Sequence, residues 1–200
     1  MPPHLRHPIR DPDPSPETPG LLDRSVVLVG LMGAGKTAVG RRLAKRLSLP
    51  FADADQEIEQ AAGCSVKDIF SVWGEPAFRD CERRVIRRLL SQAPLVLSTG
   101  GGAFIDPQTR ALVLERGIAV WLRANLEVLL SRTARRNTRP LLNEGNPRRI
   151  LSELMAKRHP IYAHAHIVVD TTECSVDHTT DRVERALEPY LRSPVDIPAD

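Results

Sequence analysis

Short runs of apolar residues alternate with longer segments of helical periodicity from Ser25 onward. Five such runs occupy residues 26–29, 51–54, 95–98, 118–122 and 167–169. Runs of this length, separated by helix-length segments, are typical of parallel strands that are buried on both faces. The pattern therefore predicts a three-layer α/β domain, with a five-stranded parallel sheet and helices on both of its faces.

Capping residues and prolines mark the predicted helix boundaries. Asp106 followed by Pro107 predicts a helix start, and Gly117 predicts the end of that helix before the fourth run. Pro147 opens a segment whose apolar residues have the spacing of one helix face. We expect this later helix to end at Arg158.

Composition separates the domain from the two ends of the chain. Seven of the 17 prolines fall within residues 1–19, in a segment with almost no apolar residues. Such a segment cannot bury enough apolar surface to fold. We predict a disordered proline-rich tail over residues 1–22, a single domain over residues 23–193 and a flexible C-terminus over residues 194–200.

Composition and charge also exclude several classes of protein. No uncharged apolar stretch approaches the ~18–20 residues of a membrane span, and the N-terminus lacks the apolar core of a secretory signal. Three scattered cysteines fit neither a disulfide framework nor a metal pair. The 28 basic residues barely exceed the 25 acidic ones, and the aromatic residues are not interleaved with basic ones as nucleic-acid stacking requires. We predict a cytoplasmic protein with no membrane or nucleic-acid partner.

A glycine-rich segment follows the first apolar run directly. Residues 30–37 read GLMGAGKT and match the phosphate-binding pattern GxxxxGK[ST], between a predicted strand and a predicted helix. Glycines let backbone N–H groups converge on a phosphate at a helix N-terminus, the lysine bridges the β- and γ-phosphates, and the hydroxyl binds Mg²⁺. The segment predicts a nucleoside triphosphate or diphosphate site. Its residues are Gly33, Ala34, Gly35, Lys36, Thr37 and Ala38.

Other motifs narrow the class of nucleotide-binding protein. The NKxD and DxxG strings of GTPase switches do not occur in the sequence. The third apolar run leads into three glycines, residues 100–102, without the acidic residue that helicases and related ATPases place there. Consecutive glycines let the backbone approach a ligand closely, although a simple turn would also explain them. These observations favour a small-molecule kinase.

Two aspartates, Asp53 and Asp55, lie at the end of the second apolar run. In an extended chain both side chains point to the same side, and the carboxyl ends of parallel strands form the ligand crevice. We assign Asp53 to Mg²⁺, and Asp55 to an acceptor hydroxyl that it would orient and deprotonate. Alternatively, Asp55 only caps a helix that begins at Gln56.

Three arginines could supply positive charge to the same site. Arg79 follows Pro76 on a predicted helix, where Glu82 could orient it. Arg139 lies in a predicted mobile loop and could close over the phosphates. From the helix pattern alone, Arg79 could equally lie on a solvated face, and Arg158 could only complement a helix dipole.

The segments GLMGAGKT, DAD, PAFRDCE, STGGG, NTRPLL and MAKRHPIY, in this order and spacing, resemble shikimate kinases over residues 25–171. The resemblance implies a nucleoside-monophosphate-kinase-like P-loop fold with strand order 2-3-1-4-5, a substrate-binding segment near residues 54–85 and a mobile lid near residues 133–147. It implies transfer of the ATP γ-phosphate to the 3-hydroxyl of shikimate, in the biosynthesis of chorismate and aromatic amino acids. ATP is the implied co-substrate and Mg²⁺ the implied metal, and we expect a monomer.

The resemblance also implies roles for individual residues. Asp55 holds the shikimate hydroxyls, and Arg79 and Arg158 bind the shikimate carboxylate. Arg139 is the lid arginine and joins Lys36 and Asp55 in catalysis, while Arg132 stacks on adenine. The implied sites are, for ATP, Gly33, Ala34, Gly35, Lys36, Thr37, Ala38, Arg132 and Arg139; for shikimate, Asp55, Arg79, Gly100, Gly101, Gly102 and Arg158; and for Mg²⁺, Thr37 and Asp53.

Two features depart from the family pattern. Ala54 stands between the two aspartates, where the family more often has Ser or Thr, and the lid is basic at Arg135 and Arg136. Two other functions stay open: a related small-molecule kinase such as a gluconate kinase, and a nucleotide-binding regulator without catalytic activity. The combination of Arg79, Gly101 and Arg158 favours a rigid cyclic carboxylate, and the acceptor-side aspartate argues against a silent regulator.

Overall fold

The structure, a computed structural model, describes residues 24–134, 146–171 and 175–191. The predicted tail at residues 1–22 and the predicted C-terminus at residues 194–200 lie outside this part of the chain. So do the central residues of the predicted lid, which include Arg135, Arg136 and Arg139.

Strands and helices alternate along the described chain. The strands are β1 (Ser25–Val29), β2 (Phe51–Asp53), β3 (Val96–Ser98), β4 (Gly117–Ala124) and β5 (Ile167–Thr171). The helices are α1 (Lys36–Arg46), α2 (Ala54–Ala62), α3 (Val66–Leu90), α4 (Pro107–Arg116), α5 (Leu126–Ala134), α6 (Pro147–Tyr162) and α7 (Val176–Leu191). A short 3-10 turn, Ala103–Ile105, precedes α4.

The five strands form one parallel sheet in the order β2-β3-β1-β4-β5, which confirms the predicted fold. β1 lies at the centre, and every residue from Val26 to Val29 is fully buried. Successive strand side chains point to opposite faces, so complete burial shows that helices cover both faces of the sheet. The pairing of Leu28 and Asp53 with Ser98 brings the carboxyl ends of β1, β2 and β3 together.

Two predicted boundaries near the site are wrong. β2 ends at Asp53, whose side chain caps α2 by accepting the Asp55 N–H at 3.2 Å. Asp53 is therefore the cap and Asp55 lies in the first helical turn, so the two aspartates do not share an extended strand. α6 continues for a full turn beyond Arg158 and ends at Tyr162, because Tyr162 is buried against the rest of the domain.

Other boundaries agree with the sequence pattern. Asp106 caps α4 by accepting the Thr109 N–H at 2.8 Å, and Pro107 is the first helical residue, as predicted. α5 extends to Ala134, so the start of the predicted lid is helical. Within the residues that the structure describes, no helix is long and apolar enough to cross a membrane.

Candidate active site

The turn between β1 and α1 forms a cradle for phosphate. Gly33 and Gly35 have φ angles of 81° and 96°, which L-residues with side chains rarely adopt. Gly35 directly precedes α1, and no side chain from the described part of the chain caps this helix N-terminus. The first N–H groups of a helix lack intrahelical partners and carry a partial positive charge, so the turn suits an anion.

Lys36 folds back over this turn. Its ammonium donates to the carbonyl oxygens of Gly30 at 2.8 Å and Leu31 at 3.0 Å. The side chain is buried, so its charge is kept close to the cradle rather than in bulk water. The arrangement places the predicted lysine where it can meet a phosphate oxygen.

Three side-chain oxygens gather where β2, β3 and α1 meet. The Thr37 hydroxyl donates to Asp53 Oδ2 at 2.9 Å, and it lies 3.3 Å from the Ser98 hydroxyl. Oxygen ligands are those that Mg²⁺ prefers, and Mg²⁺ usually takes only one or two carboxylates beside substrate phosphates and water. The predicted residues Thr37 and Asp53 thus fit such an ion, and Ser98 is an addition that the sequence did not single out.

The described residues contain no group of three or more His, Cys, Asp or Glu side chains that could hold a metal. An ion that is shared between phosphates, one hydroxyl and one carboxylate does not need such a group. The donor set at Thr37 and Asp53 therefore suits a metal that arrives with the nucleotide better than a resident metal.

The glycine triplet after β3 faces two carboxylates. A methyl group on Gly100 would lie 2.9 Å from Asp55 Oδ1 and 3.4 Å from Glu82 Oε1. Glu82 is only 1% exposed, and burial raises the pKa of its carboxyl although the Arg79 charge opposes the rise. Its Oε1 accepts no hydrogen bond from the described residues. Asp55 and Glu82 therefore border a common space beside Gly100.

Arg79 is positioned by a kink in α3. Gly74, with φ 78°, interrupts the helix just before the turn that carries Arg79. The guanidinium donates through Nη1 to Glu82 at 2.6 Å, and through Nε and Nη2 to Glu75 at 3.3 and 3.1 Å. Burial opposes the Arg79 charge, but the two carboxylates outweigh it and raise its pKa. Arg79 is thus a half-buried cation with carboxylate partners, not a member of a solvated face.

Arg158 reaches the same loop from α6. Its Nη1 donates to the Gly101 carbonyl at 3.2 Å, and the Tyr162 hydroxyl donates to the same oxygen. A methyl group on Gly101 would lie 3.7 Å from Arg158 Nη1, and one on Gly102 would lie 2.8 Å from Arg79 Nη1. Gly101 therefore faces Arg158, and the next glycine, Gly102, faces Arg79. Both guanidinium groups lie beside the same glycine loop.

Arg132 lies on the other side of the phosphate cradle. Its Nη1 points to the carbonyl oxygens of Gly33 at 3.5 Å and Ala34 at 3.4 Å, and burial lowers its pKa. Ala38 is exposed on α1, two residues beyond Lys36. Arg139 lies outside the described residues, so its predicted place in a lid stays a prediction.

Sequence reasoning missed two residues that contact the predicted acceptor arginines. Glu75 pairs with Arg79 across one helical turn, an i,i+4 spacing that the sequence does contain. Tyr162 belongs to the segment MAKRHPIY, and its spacing of four residues from Arg158 places both on one helix face. That spacing could have suggested a shared target for the two side chains.

Comparison with known proteins adds independent evidence. A family model described as shikimate kinase matches residues 32–188. The curated shikimate kinase of Paramagnetospirillum magneticum is 54% identical over 177 residues, which covers 88% of this chain and 91% of that protein. The curated shikimate kinase of Novosphingobium aromaticivorans is 51% identical over 174 residues, covering 85% and 90%.

Solved structures agree with these matches. The shikimate kinase from Acinetobacter baumannii in complex with shikimate superposes with a TM-score of 0.80 at 38% identity, covering 85% of this chain and 96% of that one. A gluconokinase from Sinorhizobium meliloti superposes with a TM-score of 0.56 at 19% identity, covering 87% and 94%. The gluconokinase similarity therefore concerns the fold alone.

Proposed function

The chain belongs to the shikimate kinase family, and on that premise we propose that it transfers the γ-phosphoryl group of ATP to the 3-hydroxyl of shikimate. The products are shikimate 3-phosphate and ADP, in the pathway to aromatic amino acids. The observation that carries the proposal is the pair of guanidinium groups, Arg79 and Arg158, at the glycine loop beside the phosphate cradle. Guanidinium forks are the best protein partners for a planar carboxylate, which shikimate carries on a rigid ring.

We propose that the ATP phosphates bind to the backbone N–H groups of residues 33–38 and to Lys36. The ammonium of Lys36 would exchange its bonds to the Gly30 and Leu31 carbonyls for phosphate oxygens, which is a small movement. Arg132, beside the loop carbonyls, would contact the adenine, and Arg139 would contact the phosphates from the lid. Phosphoryl transfer depends mainly on positioning and charge neutralisation, which these groups supply.

Thr37 and Asp53 are the residues that would hold Mg²⁺. A bound ion would supply positive charge there, which would offset the negative charge that develops during transfer. The Asp53 carboxylate also caps α2 through Asp55 N–H, so the same side chain fixes the position of Asp55 relative to the phosphate cradle.

Asp55 would orient the acceptor hydroxyl and accept its proton. Its side chain borders Gly100, on the side of the loop where Glu82 and Arg79 also lie. The acceptor carboxylate would bind between Arg79 and Arg158, which turns the ring so that one hydroxyl meets both Asp55 and the γ-phosphate. Holding the acceptor hydroxyl and the γ-phosphate in this arrangement lowers the entropic part of the barrier to their reaction.

The experiment that tests the function is the release of ADP from MgATP by the purified protein, with shikimate, with gluconate and without an acceptor. Strong stimulation by shikimate alone is the expected result. Stimulation by gluconate alone would support the related sugar-acid kinase, and binding of ATP without stimulation by either acid would support a silent regulator.

Two variants separate the proposed nucleotide and acceptor roles. Lys36→Ala should lower kcat by about 10²–10³-fold, as loss of a donor to a transferring group does. Arg79→Lys, which keeps a positive charge beside the buried Glu82 but loses the guanidinium fork, should instead raise the KM for shikimate by about 10–100-fold and leave the KM for ATP near its original value. Equal effects of both variants on both substrates would contradict the separation of roles.

We also propose that the enzyme acts as a cytoplasmic monomer. The free thiols Cys64 and Cys81 are consistent with a reducing compartment. Size-exclusion chromatography with light scattering should give the mass of one chain, with and without ligands. A dimer at assay concentration would contradict this proposal without affecting the proposed reaction.

A further inference from the structure

The hydroxyl of Tyr162 has no explanation in packing alone. Tyr162 ends α6 and is completely buried, and its ring lies against Trp121 with 5.8 Å between the ring centroids. A phenylalanine would make the same ring contact without burying a polar group, which is unfavourable unless that group has a partner. The partner is the Gly101 carbonyl, to which the hydroxyl donates.

Arg158 donates to the same oxygen from one helical turn earlier. Its Nη1 lies 3.2 Å from Gly101 O, and residues four apart lie on the same helix face. A carbonyl oxygen has two lone pairs, so both donors can bind at once. The end of α6 is thus attached to the middle of the glycine loop through two side chains and one acceptor.

The glycine loop needs such an attachment. Three consecutive glycines have more backbone freedom than any other sequence, and their peptide planes must be oriented by hydrogen bonds rather than by side chains. A methyl group on Gly101 would lie 3.6 Å from both Gly30 O and Met32 N, so this peptide lies directly beside the phosphate cradle. A methyl group on the next glycine, Gly102, would collide with the Arg79 guanidinium. The orientation of the peptide between Gly101 and Gly102 therefore affects both sides of the acceptor site.

On the proposed function Arg158 also binds the acceptor carboxylate, so only part of its donor set remains for this peptide. The Tyr162 hydroxyl carries no charge, so an acceptor carboxylate does not draw it away as it draws a guanidinium. Burial raises the pKa of Tyr162 to about 12, against the opposing charge of Arg158 and a hydrogen bond between the two side chains. The hydroxyl consequently stays protonated, and able to donate, at every pH used in an assay.

We propose that Tyr162 is a positioning residue for the acceptor, whose hydroxyl holds the Gly101 carbonyl and leaves the Arg158 guanidinium available to the substrate carboxylate. The proposal rests on the proposed function, because it assigns the acceptor carboxylate to Arg158. It concerns the hydroxyl and not the ring.

The two tyrosines of the chain provide a matched test. The Tyr190 hydroxyl also donates to a backbone carbonyl, that of His166, at 3.1 Å. Tyr162→Phe and Tyr190→Phe each remove one such bond, but only the first lies at the glycine loop. Tyr162→Phe should raise the KM for shikimate about 3–10-fold, as loss of one hydrogen bond does, with kcat and the KM for ATP changed less than twofold. Tyr190→Phe should change none of these values.

Either of two results would overturn the proposal. The first is an unchanged KM for shikimate in Tyr162→Phe, and the second is an equal rise of both KM values, which would indicate a general structural role. Absence of shikimate-dependent activity in the unmodified protein would instead refute the proposed function, so the two failures are distinguishable. Thermal unfolding of both variants reports whether each one folds.

Fluorinated tyrosine gives a second readout that does not require Tyr162→Phe to fold. In the Tyr190→Phe chain only Tyr162 takes up the label, a polyfluorinated tyrosine whose phenol is acidic enough to lose its proton within the assay range even when burial raises its pKa. The KM for shikimate should then rise toward alkaline pH as the hydroxyl loses its proton, relative to the unlabelled Tyr190→Phe chain. Identical pH profiles for the labelled and unlabelled chains would count against the proposal.

Discussion

Gly102→Ala is the most direct test of the acceptor site, because it adds one methyl group beside Arg79. The backbone at Gly102 has φ −100° and ψ −16°, which alanine adopts without strain. The substitution therefore introduces no backbone penalty. Any effect on function must come from the contact between the new methyl group and the guanidinium.

The size of the effect follows from this contact. The methyl carbon would lie 2.8 Å from Arg79 Nη1 and 2.9 Å from Cζ, whereas ordinary contacts begin at 3.4 Å. Because Nη2 lies nearer still, the guanidinium must move by about one ångström, although its Nη1 is bound to the buried Glu82 at 2.6 Å. Loss of one charge-assisted hydrogen bond to the acceptor costs about 1.5–3 kcal/mol. We expect the KM for shikimate to rise about 10–100-fold.

The assay is initial-rate kinetics with shikimate varied at saturating MgATP, and the KM for ATP at saturating shikimate is the internal control. The nearest atoms to the new methyl group all belong to Arg79, so the KM for ATP should stay within about twofold of the original value. Thermal unfolding should show the variant folded. A KM for shikimate within twofold of the original, or an equal rise of both KM values, would refute the proposed contact between the acceptor and Arg79.

Three further predictions concern charge, burial and pH. Glu75→Gln should lower the KM for shikimate about threefold at low ionic strength, because the 65% exposed Glu75 carboxylate competes for Arg79. Thr171→Val should raise the free energy of unfolding by about 1 kcal/mol in denaturant titrations, because the buried Thr171 Oγ1 has no hydrogen-bond partner among the described residues. His166 Nδ1 accepts the Ala119 N–H, and burial lowers the pKa of His166, so the neutral form favours folding. Stability should fall as pH drops below the ordinary value of 6.5, and His166→Asn, which keeps an acceptor, should flatten that fall in thermal melts at several pH values.

Each of these predictions has a control and a contrary outcome. Glu153→Gln removes a similar exposed ion pair with Arg149 on α6 and should not change the KM. A higher KM in Glu75→Gln would mean that Glu75 orients Arg79 rather than competing for it. Thr180→Val removes a hydroxyl that donates to Val176 O at 2.8 Å, so it should not stabilise the fold as Thr171→Val does. An equal acid sensitivity of His166→Asn and the unmodified chain would exclude His166 as the titrating group.

The sheet could be predicted from the sequence because its strands are buried on both faces. A strand that is buried on both faces needs apolar residues at every position, which produces continuous apolar runs such as 118–122. β4 contains the whole of this run, and its residues are buried. The phosphate cradle could also be predicted from the sequence, because Gly33 and Gly35 adopt backbone angles that favour glycine. In both cases the physical constraint acts on neighbouring residues and leaves a local pattern.

Contacts between distant elements left no such pattern. The second run predicts a strand to residue 54, but the Asp53 carboxylate caps a helix there and also accepts the Thr37 hydroxyl from α1. The sequence predicts a helix end at Arg158, yet α6 continues to Tyr162, which is buried and donates to the Gly101 carbonyl. Each of these outcomes depends on a partner far away in the sequence.

The charges around Arg79 explain how the acceptor site can be selective for a carboxylate before any substrate binds. Glu82, 1% exposed, would be unfavourable to bury as an isolated charge, so Arg79 is needed for the fold as well as for the acceptor. The exposed Glu75 occupies the remaining Arg79 donors, Nε and Nη2. On the proposed function, the acceptor carboxylate replaces the Glu75 carboxylate, and Arg79 remains paired throughout the exchange. Because one carboxylate takes the place of another, an anionic acceptor can compete for these donors, whereas a neutral ring of the same shape leaves Glu75 in place.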